Sequence, residues 1–158
     1  MKQVHLIAIN IRSALNVGSF FRTADALGIQ KIWLAGYCAT PEHETVKKTA
    51  LGAERTVEWE QVTDPIECLE RVKGLGFRVL GLERTDGASD LKRYAPSDLC
   101  AIVVGNEVEG LSKMQLERCD DIVEIPQVGT KESMNVAVAA GIAMYALTSS
   151  KSQVVSRS

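Results

Sequence analysis

Along this chain apolar positions switch between a period of two and a period near 3.6, and the switches predict strand-then-helix units from end to end. Residues 4–9 (VHLIAI) and 31–35 (KIWLA) read as strands, with a helix over 16–27 between them. A second helix is expected over 42–51 and a short strand over 55–60. Asp64 before Pro65 marks a helix start, a capping carboxylate with proline at the first helical position, and Gly74 and Gly76 stop that helix. Residues 77–82, 99–104 and 121–125 are the next strand candidates, with a short helix over 111–119 before the last of them. The run LCAIVV has no polar alternation, as a central strand covered on both faces requires. A final helix over 134–148 opens at Ser133, a plausible cap. Repeated β then α predicts an α/β fold, a mostly parallel sheet with helices on both faces.

The final helix, MNVAVAAGIAMYALT, carries so many small side chains that it is expected to pack closely on more than one side. Gly141 is then a position where leucine would overpack. At 158 residues the chain fits one domain, residues 1–158, with 149–158 expected as a flexible tail. Apolar residues make up 46% and charged residues 24%, the balance of a globular protein. No apolar run approaches a membrane span and the N-terminus lacks a signal-peptide plan, so a cytoplasmic location is expected. Cys38, Cys68, Cys100 and Cys119 form no CxxC pair, which fits reduced thiols, and His5 and His43 have no ligand spacing, so no metal is expected. With 18 basic and 20 acidic residues the net charge is −2. Any contact with nucleic acid must come from local clusters, such as Lys47 and Lys48 with Arg55, or Arg84 with Lys92 and Arg93.

Neither common phosphate fingerprint is present. Gly74, Gly76 and Gly81 do not form GxGxxG, and the stretch GNEVEG from Gly105 lacks a following lysine. Glu107 and Glu109 would repel phosphate, so this stretch suits a ligand with cationic or hydroxyl groups, or is a tight turn at a strand end. Three polar mouths stand out: Asn16 with Arg22, Gly105 to Gly110, and IPQVGTKESMNVAVA from Ile125. Each follows a strand and precedes or opens a helix, where short polar side chains and backbone donors can converge on one ligand. For Asn16 and Ser133 the competing explanation is helix capping, and for Arg22 an ion pair with Asp25.

Taken in order, NIRSALNVGSFFRTADALG, IVVGNEVEGLS and IPQVGTKESMNVAVAAGIA resemble the three motifs of the SPOUT superfamily of methyltransferases, specifically the TrmH (SpoU) family of RNA ribose 2'-O-methyltransferases. KKTALGAERTVEWE is also similar to a family stretch, and the resemblance runs from Val4 to about Leu147. It implies a C-terminal deep trefoil knot, a homodimer, S-adenosylmethionine as cofactor and a tRNA or rRNA substrate. It further implies a catalytic set of Arg22, Asn16, Glu107, Ser133 and Asn135. The cofactor is expected against Leu80, Gly81, Gly105, Asn106, Ile125, Pro126 and Gln127, with Met134 on the adenine side. Arginine is hard to deprotonate, so Arg22 as general base competes with Arg22 stabilising a developing alkoxide. Two rival readings share this fold: a non-catalytic RNA-binding module, and an enzyme methylating a base nitrogen or a protein.

Overall fold

The computed structural model describes residues 2–131 and 133–149. The expected flexible tail, apart from Ser149, lies outside them. Seven parallel strands form one sheet in the order β3-β2-β1-β6-β4-β7-β5. They are β1 (Gln3–Ile9), β2 (Lys31–Ala35), β3 (Glu58–Val62), β4 (Arg78–Leu82), β5 (Ser89–Asp90), β6 (Leu99–Val104) and β7 (Asp121–Glu124). The helices are α1 (Ala14–Leu27), α2 (Glu44–Ala50), α3 (Pro65–Gly74), α4 (Lys113–Glu117) and α5 (Val136–Thr148).

Because side chains alternate across a strand, the sheet divides the core in two. Leu6, Ala8, Ile32, Leu34, Ile102 and Val104 face α1, α2 and α5. Ile7, Ile9, Trp33, Val79, Ala101 and Val103 face the other way, toward Cys68, Leu69 and Val72 of α3 and Leu116 of α4. β6 is buried on both faces from Cys100 onward, in keeping with its unbroken apolar run. Burial also holds the Cys68 and Cys119 thiols up at about 12 and Cys100 at about 11, so all three stay protonated.

Several boundaries differ from expectation, each for a local reason. α1 begins two residues before Asn16 because the Ser13 side chain accepts the Asn16 N–H and caps it. β3 starts at Glu58 rather than residue 55, since Ala53–Arg55 closes a 3-10 turn first. α5 is capped by Asn135, whose Oδ1 accepts the Ala137 and Val138 N–H groups, and not by Ser133. The two-residue β5 is too short to leave a periodic trace.

The expectation of crowding at Gly141 is corrected. A Cβ there would meet only Thr23 Cγ2, at an ordinary 3.5 Å. The crowded glycine is Gly18, where a Cβ would stand 2.5 Å from Thr49 Cβ and 2.9 Å from the Val46 carbonyl oxygen, so α1 and α2 approach only because position 18 has no side chain. Within the chain α5 buries one face, Ala140, Ala143, Met144 and Leu147, and leaves Val138, Ile142 and Tyr145 exposed.

His5 is the buried polar residue of the sheet. Its Nδ1 accepts the Trp33 Nε1–H at 3.1 Å and its ring lies 4.1 Å from that of Phe77. Desolvation, aided by Lys31, lowers its pKa to about 4. Protonation would remove the acceptor that Trp33 uses.

Two predictions follow from this packing. Gly18→Ala should cost about 1–3 kcal/mol by overpacking, whereas Gly141→Ala should be neutral or stabilising, read as urea midpoints. For His5, the unfolded chain gains the proton near pH 6.5 and the folded chain only near 4. Its stabilising contribution is therefore present above pH 6.5 and falls by up to about 3 kcal/mol as pH drops to 4. Urea unfolding between pH 7 and 4 should show this slope, flattened in His5→Phe.

Candidate active site

The chain lays β2 and β3 to one side of β1, crosses through α3 to β4 on the other side, and later inserts β6 between β1 and β4. The carboxyl ends of β1 and β6 thus lie side by side where the winding reverses, the place where open α/β sheets hold ligands. Ala8 pairs with Val104, so the residues that follow each strand start at the same level. The Asn106 Nδ2 donates to the Asn10 carbonyl at 3.0 Å, and its Oδ1 accepts the Val108 and Glu109 N–H groups. That fastens the 105–110 loop across the β1 end. Gly105 permits the fold of this loop: a Cβ there would fall 2.6 Å from the Gly110 carbonyl carbon.

All three polar mouths contribute here, the first through Asn16 and not Arg22. The Glu107 Oε2 accepts the Asn16 Nδ2–H at 3.1 Å and the Ser13 N–H at 3.4 Å. The Asn16 Oδ1 in turn lies 3.5 Å from the Asn135 Nδ2. One line of polar groups therefore joins α1 to the loop after β6 and the cap of α5, which lie 91 and 119 positions from Asn16 in sequence. Capping and clustering coexist: Asn135 caps α5 with its oxygen and offers its amide nitrogen to Asn16.

Beside this line is a cavity of about 660 Å³, within the range of small-molecule sites. Of the residues expected around a ligand, Gly105, Asn106, Ile125, Gln127 and Met134 line it, as do Asn16, Glu107, Ser133 and Asn135. Pro126 is exposed and absent from the lining. The β4 contribution is displaced from Leu80 and Gly81 to Leu82, Glu83 and Arg84. Leu80 is wholly buried in the core, and Gly81 faces the Cys119 and Ile122 side chains. Glu83 is not among the sequence candidates, although a carboxylate just past a strand's carboxyl end is a usable signal. Desolvation raises its pKa, partly offset by the Leu111 N–H that it accepts. A Cβ on Gly110, whose φ is 69°, would land on the Glu83 carboxylate.

Arg22 is not part of this cavity within the chain. Six residues beyond Asn16, it points elsewhere from α1 and lines a separate depression with Asp25, Leu51 and Thr56. The expected alternative, an ion pair with Asp25, is not formed. The Asp25 Oδ1 accepts the Thr56 hydroxyl at 2.7 Å, and no ion pair among the described residues engages Arg22.

The donor set suits a cationic ligand with an apolar end. Glu83, Glu107 and Glu109 outnumber Arg84 among the charged lining groups, while Leu82, Ile125, Met134, Val136 and Ala139 supply apolar wall. Among the described residues no group of three or more His, Cys, Asp or Glu is placed to hold a metal ion, and no helix is long and apolar enough to cross a membrane.

Parallel sheet, switch-point cavity and converging motifs define an α/β protein with a cavity of small-molecule size at the ends of β4, β6 and β7. More narrowly, the chain belongs to the SpoU rRNA Methylase family, which matches residues 3–145. It is 37% identical over 139 residues to the 23S rRNA (guanosine-2'-O-)-methyltransferase RlmB of Neisseria meningitidis serogroup B, a match over 88% of this chain and 55% of RlmB. The chain thus spans about half the length of the curated relatives it matches. The SpoU methyltransferase AviRb from Streptomyces viridochromogenes, solved in complex with the cofactor AdoMet, superposes with a TM-score of 0.87 at 26% identity. That match covers 98% of this chain and 62% of AviRb. A structure described for the 2-OH methylation of C/U34 on tRNA matches at TM-score 0.82 and 25% identity over 99% of both chains.

Gly105→Ala should lower the urea midpoint by the equivalent of about 1–3 kcal/mol, because the new Cβ must push the loop off the β1 end. Gly129→Ala, with nothing within 4 Å of an added Cβ, should leave it unchanged.

Proposed function

We propose that this chain is a homodimeric RNA methyltransferase that moves a methyl group from S-adenosylmethionine to a ribose 2'-oxygen of tRNA or rRNA, in the cytoplasm and without a metal. The observation that carries the reading is the meeting of Asn16, Glu107 and Asn135 on the wall of a cavity with acidic and apolar lining. Family membership and the named activities of the relatives support it.

S-adenosylmethionine, when bound, supplies an electrophilic methyl group on a sulfonium. The chain's own part is to hold and shield it. Leu82, Ile125, Met134 and Ala139 give apolar surface for the adenine, and the open backbone at Gly105 allows close approach. Glu83 and Glu109 offset the ligand's positive charge. Glu107 fixes the Asn16 amide by accepting its N–H, and Asn16 with Asn135 and Ser133 orients the ribose hydroxyl. As the 2'-oxygen gains the methyl group its hydroxyl proton must leave: Arg22 takes it as general base, or the Arg22 guanidinium stabilises the developing alkoxide while the proton passes to solvent.

In this scheme Arg22, which lies outside its own chain's cavity, serves the reaction centre of the partner in a homodimer. The exposed stripe of Val138, Ile142 and Tyr145 on α5 supports that assembly, for an apolar helix bare on one face calls for a partner. Leu15 and Arg22, two turns apart on the adjoining α1, are exposed as well. The trefoil knot belongs to the same proposal, supported by the late insertion of β6 between β1 and β4.

Arg22→Ala should cut methyl transfer to RNA from cells lacking this protein by roughly 10²–10³-fold. Cofactor affinity by calorimetry should stay largely intact. Alkali-resistant dinucleotides in the product identify ribose methylation; a methylated base or protein, or an active Arg22→Ala, contradicts the scheme.

A further inference from the structure

Next to the main cavity is a second of about 520 Å³, lined by Arg12, Ser13, Asn16, Asn106, Glu107, Val108 and Glu109. It shares Asn16, Asn106 and Glu107 with the first, so whatever fills it lies against the groups assigned to the ribose. At its edge the Arg12 guanidinium sits 5.0 Å from the centroid of the Tyr37 ring. Tyr37 is 70% exposed, and most of its ring surface remains open beside the guanidinium.

The backbone under this pair is pinned on every side. The Tyr37 N–H donates to Asn10 Oδ1 at 2.8 Å, Gly36 N–H to the Val62 carbonyl at 2.8 Å, and Ala39 N–H to the Ile11 carbonyl at 3.1 Å. Asn10 itself takes a left-handed φ of 56° to make its contact, and Gly36 at φ 74° has no room for a Cβ beside the Asn10 side chain. Neither Tyr37 nor Arg12 contributes to the core. No ion pair among the described residues engages Arg12. A rigidly mounted, exposed aromatic with an arginine over its face, opening on the acceptor side of a site, has the physical form of a base-stacking platform.

We propose that Tyr37 and Arg12 form a stacking platform for an unpaired RNA base flanking the reacting ribose. This rests on the RNA methyltransferase reading and adds to it a subsite outside the three motif mouths. It recognises the π-face that every base carries, so it supplies affinity and position rather than sequence preference. The guanidinium also meets the backbone phosphate charge.

The test is filter binding of full-length protein to the tRNA and rRNA fractions of cells lacking it, alongside transfer of tritiated methyl groups. Tyr37→Ala should weaken binding of the preferred fraction by about 5- to 100-fold and raise KM accordingly, with kcat little changed. Tyr37→Phe, which keeps the ring, should bind as wild type. The slope of log affinity against log salt should be unaltered in Tyr37→Ala and reduced by about one in Arg12→Ala. Cofactor affinity and thermal midpoint should be unchanged in all three. Wild-type affinity in Tyr37→Ala, or a loss in Tyr37→Phe equal to that in Tyr37→Ala, overturns the platform. Tight binding that depends on Tyr37 without any methyl incorporation instead upholds the platform and removes the methyltransferase reading.

Discussion

Parallel pairing of β1 with β6 is the constraint on which the site depends. It sets Gln3 against Leu99 and Ala8 against Val104, so two loops far apart in sequence leave the sheet at one level. Hydrogen bonds then do what sequence proximity cannot. Asn106 reaches the Asn10 carbonyl, Glu107 reaches Asn16 and Ser13, and the cap of α5 closes the line through Asn135. A slip of one residue in this register would turn the apolar faces of β6 over and separate all of these pairs, which is why burial on both faces of β6 matters to function as well as to stability.

Acidic residues shape the cavity in two different ways. Glu107 is committed to protein donors and acts as a brace. Glu83 is half-buried, accepts one backbone N–H and stands against Gly110, where a side chain could not fit. The glycines of GNEVEG are therefore explained by close approach of backbone and carboxylate rather than by phosphate binding. The same reasoning separates Gly18 from Gly141: both lie inside helices, yet only the first is required by its neighbours.

The outer face of α5 and the position of Arg22 point to one conclusion from independent observations. An apolar stripe is left bare, and a cation expected at the reaction centre is held away from its own cavity. The proposed homodimer would account for both. In the proposed scheme Tyr37 and Arg12 extend the acceptor side in the other direction, which would place cofactor cavity, ribose line and base platform in sequence across the carboxyl edge of the sheet.

Apart from the two-residue β5, the strand and helix order, the doubly covered β6, the Asp64–Pro65 helix start and the family were legible in the sequence, because periodicity and short motifs are local properties. So was the grouping of Asn16, Glu107, Ser133 and Asn135, though only through the resemblance of three ordered motifs, and Arg22, expected with them, lies in a separate depression. What the tertiary structure alone decided was how side chains divide their work. Ser13 rather than Asn16 caps α1, Asn135 rather than Ser133 caps α5, and Glu83 enters the lining in place of Leu80 and Gly81. Those outcomes turn on which donor finds which acceptor after distant strands have paired. Composition along one chain does not encode that until the sheet brings the partners within reach.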